Sequence, residues 1–512
     1  MEETTALELV VNRYTVGAFV AYLMIIVGLG VWSSRFSSRG VGHFFIGGRR
    51  MNRIVVALSA VVSGRSAWLL LGVTGMAYTM GASAVWAVVG YIVVELFLFL
   101  YFARRIRNFA GRYDCITIPD FFAARFDDRS GMLRMVLVAV ILIFMLGYVS
   151  AQFVAGGKTF ASSFHMEPFH GILLTAAIVF LYTILGGFLA VSMTDTIQAV
   201  FMLVSLVVLP VIIILDLGGW PAVVAALSAM DPGLVDPVAL GMGAALGFVA
   251  IGLGSPGNPH IIARYLSIGD SRQLKTAAVV GTVWNVMMGW GAVFTGLAGR
   301  VLLPEAAALP AEDTENLFPV LAQEYLHPVL FGAVIASIFA AIMSTADSQL
   351  LVAASSVVRD LYEKIWKSGE EVSQRKLVWM SRTVVGLLVA GAVAFGVYAE
   401  DLVFWLVLFA WAGLGAAIGP TALLALYWRR TTAAGVIAGF VSGAIVTIVW
   451  YLVPVLNDMM YELIPGFAAG LAATIVVSLF TRPPAKTPVF FEAMKQDGDP
   501  PQPESESEDV KS

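Results

Sequence analysis

Charged side chains are scarce in this sequence. Asp, Glu, Lys and Arg make up 13% of the 512 residues, whereas 59% are hydrophobic, so the chain has little charge with which to cover a water-exposed surface. The mean hydropathy is +0.85. A soluble protein of this composition would expose apolar patches large enough to aggregate. The composition therefore excludes an ordinary soluble protein and indicates an integral membrane protein.

Residues typical of covalent and metal chemistry are also rare. The single cysteine, Cys115, excludes a framework of intramolecular disulfides. The five histidines include no pair at the i, i+4 spacing of metalloproteases, and no G-x-S-x-G motif of serine hydrolases occurs. We therefore expect no catalytic residues, no organic cofactor and no enzymatic activity.

Long apolar runs are abundant instead. Runs able to cross about 30 Å of hydrocarbon predict transmembrane helices. We place thirteen of them, at 14–32, 54–80, 83–103, 133–157, 170–186, 189–216, 238–256, 276–303, 328–358, 377–398, 401–428, 434–453 and 463–481. They form a transmembrane domain, residues 1–482. The rest, 483–512, is rich in Pro, Glu, Asp and Ser, so we predict a disordered tail, with a regulatory role as the alternative.

Lys and Arg are distributed unequally between the loops. The loops after spans 1, 3, 7, 9 and 11 carry them, whereas loops 217–237, 304–327 and 454–462 carry none. By the positive-inside rule, the N-terminus lies outside the cell and the C-terminus inside. This is a topological pattern, not a nucleic-acid-binding surface, so we expect the lipid bilayer but no nucleic acid as a partner. We expect a multi-pass protein of the plasma membrane, the inner membrane of a bacterium.

Two predicted spans are interrupted. The second contains S-A-V-V-S-G-R-S-A-W (59–68), and the seventh runs into G-L-G-S-P-G-N-P-H (252–260). Broken backbone at membrane depth is tolerated only where protein or a water-filled cavity satisfies the freed polar groups. Paired breaks in the two halves of a transporter indicate its binding site. The alternative is that the glycines only permit close helix packing.

The position of the breaks suggests a repeat. Spans 2–6 and 7–11 make two sets of five, each beginning with a broken span, with core repeats at about 54–216 and 238–428. Transporters built from such repeats bind their solute near the midplane of the membrane. We therefore predict an all-α membrane transporter with a five-plus-five arrangement.

Polar side chains lie deep in two other spans. Asp195 stands near the start of the sixth, and the ninth contains Ser344, Thr345, Asp347 and Ser348. An ionisable group at such depth costs at least ~2.5 kcal/mol and tends to face an interior cavity. The spacing brings Ser344, Asp347 and Ser348 onto one helix face, and oxygen ligands such as these and Thr345 suit a hard cation such as sodium. The alternative is that the hydroxyls bond back to their own helix.

Six motifs, in order, resemble the sodium:solute symporter family and most closely its sodium/proline symporters. They are F-F-I-G-G-R (44–49), T-I-P-D-F-F (117–122), G-G-F-L-A-V-S-M-T-D-T-I-Q-A (186–199), N-P-H-I-I-A-R (258–264), M-S-T-A-D-S-Q-L-L (343–351) and A-W-A-G-L-G-A-A-I-G-P (410–420). The resemblance implies a LeuT-like inverted repeat with extra flanking helices. It also implies sodium-coupled symport of proline or a related small amino acid or carboxylate by alternating access.

The resemblance also assigns cation sites. The main sodium site would use backbone carbonyls and two hydroxyls, from Val62, Arg65, Ala341, Ser344 and Thr345. A second cation or proton site, seen in some members, would map to Asp195, Ser344, Asp347 and Ser348.

Departures from the sodium/proline pattern lie in these sites. Gly64 and Arg65 replace an aspartate and a methionine, and Asp347 replaces a serine. Because an unpaired buried charge is costly, we hypothesise that Arg65 pairs with Asp347 or Asp195. Three roles for Arg65 stay open: contact with a substrate carboxylate, replacement of the cation in sodium-independent or proton-coupled transport, or an internal pair beside a backbone that still holds sodium.

The substrate pocket departs as well. By resemblance, the substrate-binding candidates are Arg65, Trp68, Tyr148, Ile251, Ser255 and Asn258. Trp68 and Tyr148 match aromatic positions of proline-transporting relatives, whereas Ile251 and Ser255 stand where a tryptophan and a tyrosine are expected. We therefore expect a small zwitterion or carboxylate as solute. A sensor that keeps the fold without transport is the alternative from another class.

Overall fold

The computed structural model describes Leu9 and residues 11–37, 40–398 and 403–497. This part of the chain is helical. Its α-helices, in chain order, are α1 (Arg13–Ser37), α2 (Val41–Ile46), α3 (Arg53–Ser63), α4 (Thr74–Met80), α5 (Val85–Phe97), α6 (Ala103–Arg112), α7 (Ile118–Phe126), α8 (Met132–Phe164), α9 (Pro168–Asp216), α10 (Trp220–Met230), α11 (Gly241–Val249), α12 (Pro259–Ser267), α13 (Leu274–Leu302), α14 (Leu317–Tyr325), α15 (Pro328–Ser355), α16 (Gln374–Val397), α17 (Val403–Tyr427), α18 (Ala433–Leu452), α19 (Pro454–Asn457), α20 (Leu463–Phe480) and α21 (Thr487–Lys495).

Among the described residues, 10 helical segments are long and apolar enough to cross a membrane. A count by helix length and composition thus gives fewer spans than the thirteen predicted, because some predicted spans are joined into longer helical segments and one is too short to be counted. The segment Trp68–Arg112 joins the later half of the second predicted span to the third, and α9 joins the fifth to the sixth across non-helical Gly187. The seventh falls in the shorter apolar segment Gly241–Gly257.

Both predicted breaks are present in the structure. α3 ends at Ser63, and the next residues turn through Ser66, whose positive φ of 51° is uncommon for a side chain other than glycine. A wide helical turn then leads into α4. In the seventh predicted span, α11 ends at Val249, a tight 3-10 segment (Ala250–Gly257) follows, and α12 begins at Pro259. Proline suits this first helical position because the NH it lacks would have no partner there.

The broken segments surround a central helix. In the most apolar part of α15, 83% of the residues are buried. The same share is buried in α17, so these two are the most enclosed of the described spans. α1, α8 and α9 pack against α15, α3 contacts it near the first break, and α17 packs against the second break. The ends of the two broken spans are tied together by a parallel bridge between Met51 and Ile268. The interruptions therefore lie inside the helical bundle, where other backbone and side-chain groups reach them.

The start of the tail is folded. The predicted disorder from Pro483 does not hold for α21, where Phe490 and Phe491 are buried and the helix packs against α6. Arg104 donates two hydrogen bonds to Asp497, at 2.9 and 2.6 Å, and holds the pKa of this carboxyl below its usual value. The apolar residues of α21 were not recognised in the sequence, because the composition of the tail as a whole is polar. The remaining tail, 498–512, lies outside the described residues.

We expect the double substitution Phe490→Ala and Phe491→Ala to lower the thermal unfolding temperature in detergent. Replacing a buried Phe by Ala typically costs about 3–5 kcal/mol. Val489→Ala on the same helix is the matched control, because its side chain is 57% exposed. Equal unfolding temperatures for the wild type and the double variant would mean that α21 is not docked.

Candidate functional site

A small cavity lies beside the break in the second predicted span. It is lined by Gly64, Arg65, Trp68, Tyr148, Ile251, Val407, Leu408 and Trp411. The room inside it for a water molecule is about 10 Å³, close to the least that one water needs, so the side chains nearly close the cavity in this structure. Four of the six predicted substrate-binding residues are therefore brought together: Arg65, Trp68, Tyr148 and Ile251.

The other two predicted substrate residues, Ser255 and Asn258, do not line this cavity. Both are fully buried at the second break. The side-chain amide of Asn258 donates to the carbonyl of Gly254 at 2.8 Å. The Ser255 hydroxyl and the Asn258 side-chain oxygen have no hydrogen-bond partner within the described part of the chain. Such unpartnered polar atoms are rare in protein interiors.

The wall contributed by α17 was not predicted. Trp411 lies against the second break and donates from Nε1 to the carbonyl of Ile251 at 2.8 Å. Gly254 permits this approach, because a Cβ atom there would lie 1.9 Å from Trp411 Nε1. Phe404 stacks on Trp68, with ring centroids 5.8 Å apart. Trp411 belongs to the motif A-W-A-G-L-G, which served only to support the resemblance.

Arg65 is buried and paired, but not with the predicted partner. Its side chain is 1% exposed, and Nη2 forms an ion pair with Glu95 on α5. Nε donates to Asn285 Oδ1 at 3.0 Å, and Asn285 in turn donates to the second Glu95 oxygen at 2.6 Å. The guanidinium lies 3.7 Å from the centre of the Tyr91 ring.

The hypothesis that Arg65 pairs with Asp195 or Asp347 is therefore wrong. The break directs Arg65 towards α5 and α13, away from those carboxylates. The remaining guanidinium nitrogen, Nη1, donates to the carbonyl of Gly64 at 3.1 Å, so all three nitrogens have partners within the protein. Glu95, an acid inside an otherwise apolar span, is the signal that the sequence offered.

Of the predicted sodium-site residues on α15, Thr345 contacts the same break, whereas Ser344 bonds back to its own helix. Thr345 Oγ1 donates to the carbonyl of Ser63 at 3.1 Å, and Ser344 Oγ donates to the carbonyl of Ala341 at 3.2 Å. Val62 and Arg65 stand on either side of this contact, on the last turn of α3 and in the break. The donor set consists of carbonyl and hydroxyl oxygens. Oxygen donors fit a hard cation such as sodium.

The residues predicted for a second cation site form an adjoining buried cluster. Ser348 donates to Asp347 at 2.9 Å, and the Tyr182 hydroxyl also donates to Asp347. Asp195 accepts a hydrogen bond of 2.5 Å from Ser59. The guanidinium of Arg264 lies in this cluster, which the sequence analysis did not predict although Arg264 ends the motif N-P-H-I-I-A-R.

These features together define a class of protein. Membrane-competent helices, two broken spans packed inside the bundle and a small cavity at the breaks are the features of a multi-pass secondary transporter.

Comparison with known proteins identifies the family. The model of the sodium:solute symporter family matches residues 44–443, and the chain belongs to this family. It is a multi-pass transporter of the cell membrane, not an enzyme, and its activity is cation-coupled symport of a solute by alternating access.

Individual relatives agree with this assignment. The sodium/proline symporters of Staphylococcus aureus strains JH9 and Mu3 are each 37% identical over 491 residues, covering 92% of this chain and 94% of the relative. A structure of a substrate-bound, outward-open Na⁺-coupled sialic acid symporter, whose description reports a novel Na⁺ site, aligns with a TM-score of 0.77 at 18% identity. It covers 92% of this chain and 99% of that chain. A transporter of the nucleobase-cation-symport-1 family aligns with a TM-score of 0.51 at 14% identity, covering 87% of this chain and 97% of that chain. At these identities the two structures show the fold alone.

Proposed function

We propose that this protein is a sodium-coupled symporter of proline or another small amino acid or carboxylate. The observation that carries the proposal is the contact of Thr345 with the carbonyl of Ser63, which joins the hydroxyl motif of α15 to the break in the second predicted span. The sodium/proline symporters among the relatives support the choice of ion and of solute class.

The sodium ion would be held by the carbonyls of Val62, Arg65 and Ala341 and by the hydroxyls of Ser344 and Thr345. All five residues are buried. When bound, the ion would supply positive charge that links the end of α3 to α15. The aromatic side chains have a different role from the ion. Trp68, Tyr148 and Trp411 surround the solute, and their rings exclude water from the cavity.

The internal pair of Arg65 favours one of the three roles considered for it. Glu95 neutralises the guanidinium, so Arg65 does not replace the coupling cation. Its three nitrogens are already engaged, so it is not free to hold a substrate carboxylate as its principal partner. Arg65 therefore contributes its backbone carbonyl to the ion and its side chain to the cavity wall. The pair therefore favours sodium coupling over the alternative in which Arg65 replaces the cation.

We propose a topology of thirteen spans with the N-terminus outside and the C-terminus inside. Turns at Gly81 and Gly187, both with positive φ, join neighbouring predicted spans into longer segments, and the break before Pro259 shortens the seventh, which accounts for each predicted span that length alone does not count. The docking of α21 onto the arginine-rich α6 supports this orientation, because the positive-inside rule assigns α6 to the cell interior.

We expect Thr345→Ala to raise the sodium concentration for half-maximal uptake by about tenfold or more. Loss of one oxygen ligand worth about 1.4 kcal/mol corresponds to a tenfold change. Thr345→Ser, which keeps the hydroxyl, should remain close to wild type. Thr421→Ala is the control, because Thr421 is equally buried and bonds only to its own helix, at 3.1 and 2.8 Å. An unchanged sodium dependence in Thr345→Ala would contradict the proposed site.

The solute class is tested by a ligand scan of purified protein in sodium-containing buffer, read by thermal unfolding. We expect the largest stabilisation from zwitterionic amino acids such as proline or from small carboxylates, because ligands that bind the folded state raise its stability. Trp68→Ala should remove the shift while leaving the unliganded protein folded. A preference for neutral sugars would refute the solute class.

A further inference from the structure

The folded start of the tail contacts two different parts of the molecule at one end of the helical bundle. The first part consists of α6, which ends the segment Trp68–Arg112, and of the short loop between α12 and α13. Asp497 accepts hydrogen bonds from Arg104 on α6 and from Ser271 in this loop, the latter at 3.1 Å. The tail therefore ties α6 to the loop that follows the broken seventh span.

α6 and this loop are also joined to each other directly. Arg107 on α6 donates from Nε to the carbonyl of Ile268 at 2.8 Å and from Nη2 to the carbonyl of Gly269 at 3.2 Å. On the same helix, the ring of Phe109 packs against Phe490 of α21, with centroids 5.7 Å apart. A movement of the loop would therefore carry α6 with it and pull on the tail.

The second part consists of α7 and the end of α17. Arg125, on α7, is fully buried and donates from Nε to the carbonyl of Ala425 on α17 at 3.1 Å. Its guanidinium carbon lies 5.7 Å from the ring centre of Phe490 and 5.1 Å from that of Phe491. Arg429, just after α17, also faces Phe491, at 5.5 Å. α21 thus bridges the first part to the second.

Both edges of this bridge are weak. Nη1 and Nη2 of Arg125 have no hydrogen-bond partner in the part of the chain that the structure describes, and burial lowers the pKa of this guanidinium to about 10. Docking thus encloses a charge that ring faces compensate only in part. At the other edge, the Asp497 side chain is 29% exposed and that of Arg104 is 42% exposed, and pairs in contact with water contribute little. The docked helix can therefore be released at small cost.

We propose that α21 is a releasable latch that restrains opening of the solute path at this end of the bundle. Alternating access requires the parts on the two sides of the binding site to move against each other. The loop after α12 follows the second break, whereas α17 packs against that break. Movement between the two has to free α21 from one of its edges. This inference goes beyond the proposed function, because it depends on alternating access and not on the identity of the ion or solute.

Asp497→Ala in the full-length protein tests the latch. We expect the initial rate of proline uptake, at saturating sodium and proline, to rise about two- to fivefold, the range set by a partly exposed ion pair. Loss of a merely structural contact would leave the rate unchanged or lower it. Glu492→Ala is the matched control, because Glu492 pairs with Lys495 on its own helix at 3.0 Å and should keep the wild-type rate. An unchanged or lower rate in Asp497→Ala would overturn the proposal.

Phe491→Leu tests the second edge. Leucine keeps an apolar side chain at this buried position but removes the ring that Arg125 and Arg429 face. This variant should also transport faster than the wild type. A rate that rises in Asp497→Ala but not in Phe491→Leu would overturn a latch with two edges.

Cys115 provides a test that needs no solute. It is the single cysteine of the sequence and lies buried between α6 and α7, and its thiol donates to the carbonyl of Tyr113, whose ring packs on Phe490. Burial raises the pKa of this thiol, so it reacts slowly while α21 is docked. We expect a maleimide to label Asp497→Ala faster than the wild type and Glu492→Ala, and equal labelling would overturn the proposal. If the wild type takes up no proline, the proposed solute is refuted and the labelling decides on the latch alone.

Discussion

Arg65→Met is expected to lose most of its transport activity and much of its stability. The substitution removes the partner of Glu95, which is buried on α5 and keeps only the hydrogen bond from Asn285. Breaking a buried pair by removing one partner costs about 3–5 kcal/mol, because the other charge is left uncompensated. The loss is measured as a lower unfolding temperature in detergent and as reduced uptake into proteoliposomes at equal protein content.

A double-mutant cycle identifies the partner. Glu95→Gln should rescue Arg65→Met in part, with a coupling free energy within the range of about 0.5–3 kcal/mol seen for contacting residues. Asp347→Ser is the matched control, because it removes an acid that the sequence alone suggested but that bonds to Tyr182 and Ser348 instead. Its effect should add to that of Arg65→Met. Rescue by Asp347→Ser, and none by Glu95→Gln, would show that the pairing is wrong.

Gly254→Ala is expected to reduce uptake by at least about tenfold. The added methyl group would lie 1.9 Å from Trp411 Nε1, so the indole must move and lose its hydrogen bond to Ile251. Overpacking of this kind costs about 1–3 kcal/mol, and 1.4 kcal/mol corresponds to a factor of ten. Because Trp411 and Ile251 both line the cavity, the loss should appear mainly as a higher solute concentration for half-maximal uptake.

Gly247→Ala is the control for this effect. Gly247 precedes the same break, on α11, and a Cβ atom there meets nothing within 4 Å. Alanine is also the better helix former, so this variant should transport like the wild type and be at least as stable. Equal activity of Gly254→Ala and Gly247→Ala would mean that Trp411 does not form the wall of the working site.

The features visible in sequence were those set by local chemistry. Glycine and proline at 252–260 and the polar run at 59–68 predicted both breaks. These residues disturb the helical backbone at their own positions, so their effect can be read from the local sequence. Of the hydroxyls of α15, Thr345 does contact the first break, while the sodium site that they indicated stays a prediction. The resemblance then supplied the aromatic positions Trp68 and Tyr148, which line the cavity.

Ion pairs between residues of different spans could not be predicted from the sequence. Arg65 and Glu95 are 30 positions apart, and Arg264 and Asp195 are 69 apart. The need for a partner follows from the cost of a buried charge, but its identity depends on how the helices pack. Charge balance alone therefore indicated the wrong acid as the partner of Arg65, and it gave no sign that an arginine lies beside Asp195.

The central claim is that a sodium gradient drives uptake although an arginine stands at the expected sodium site. Purified protein in liposomes, with a sodium gradient and a proton gradient imposed separately, tests it most directly, with radiolabelled proline and competing amino acids or carboxylates as solutes. We predict concentrative uptake with the sodium gradient and none with the proton gradient alone. Uptake driven by protons, or unaffected by removal of sodium, would contradict the claim.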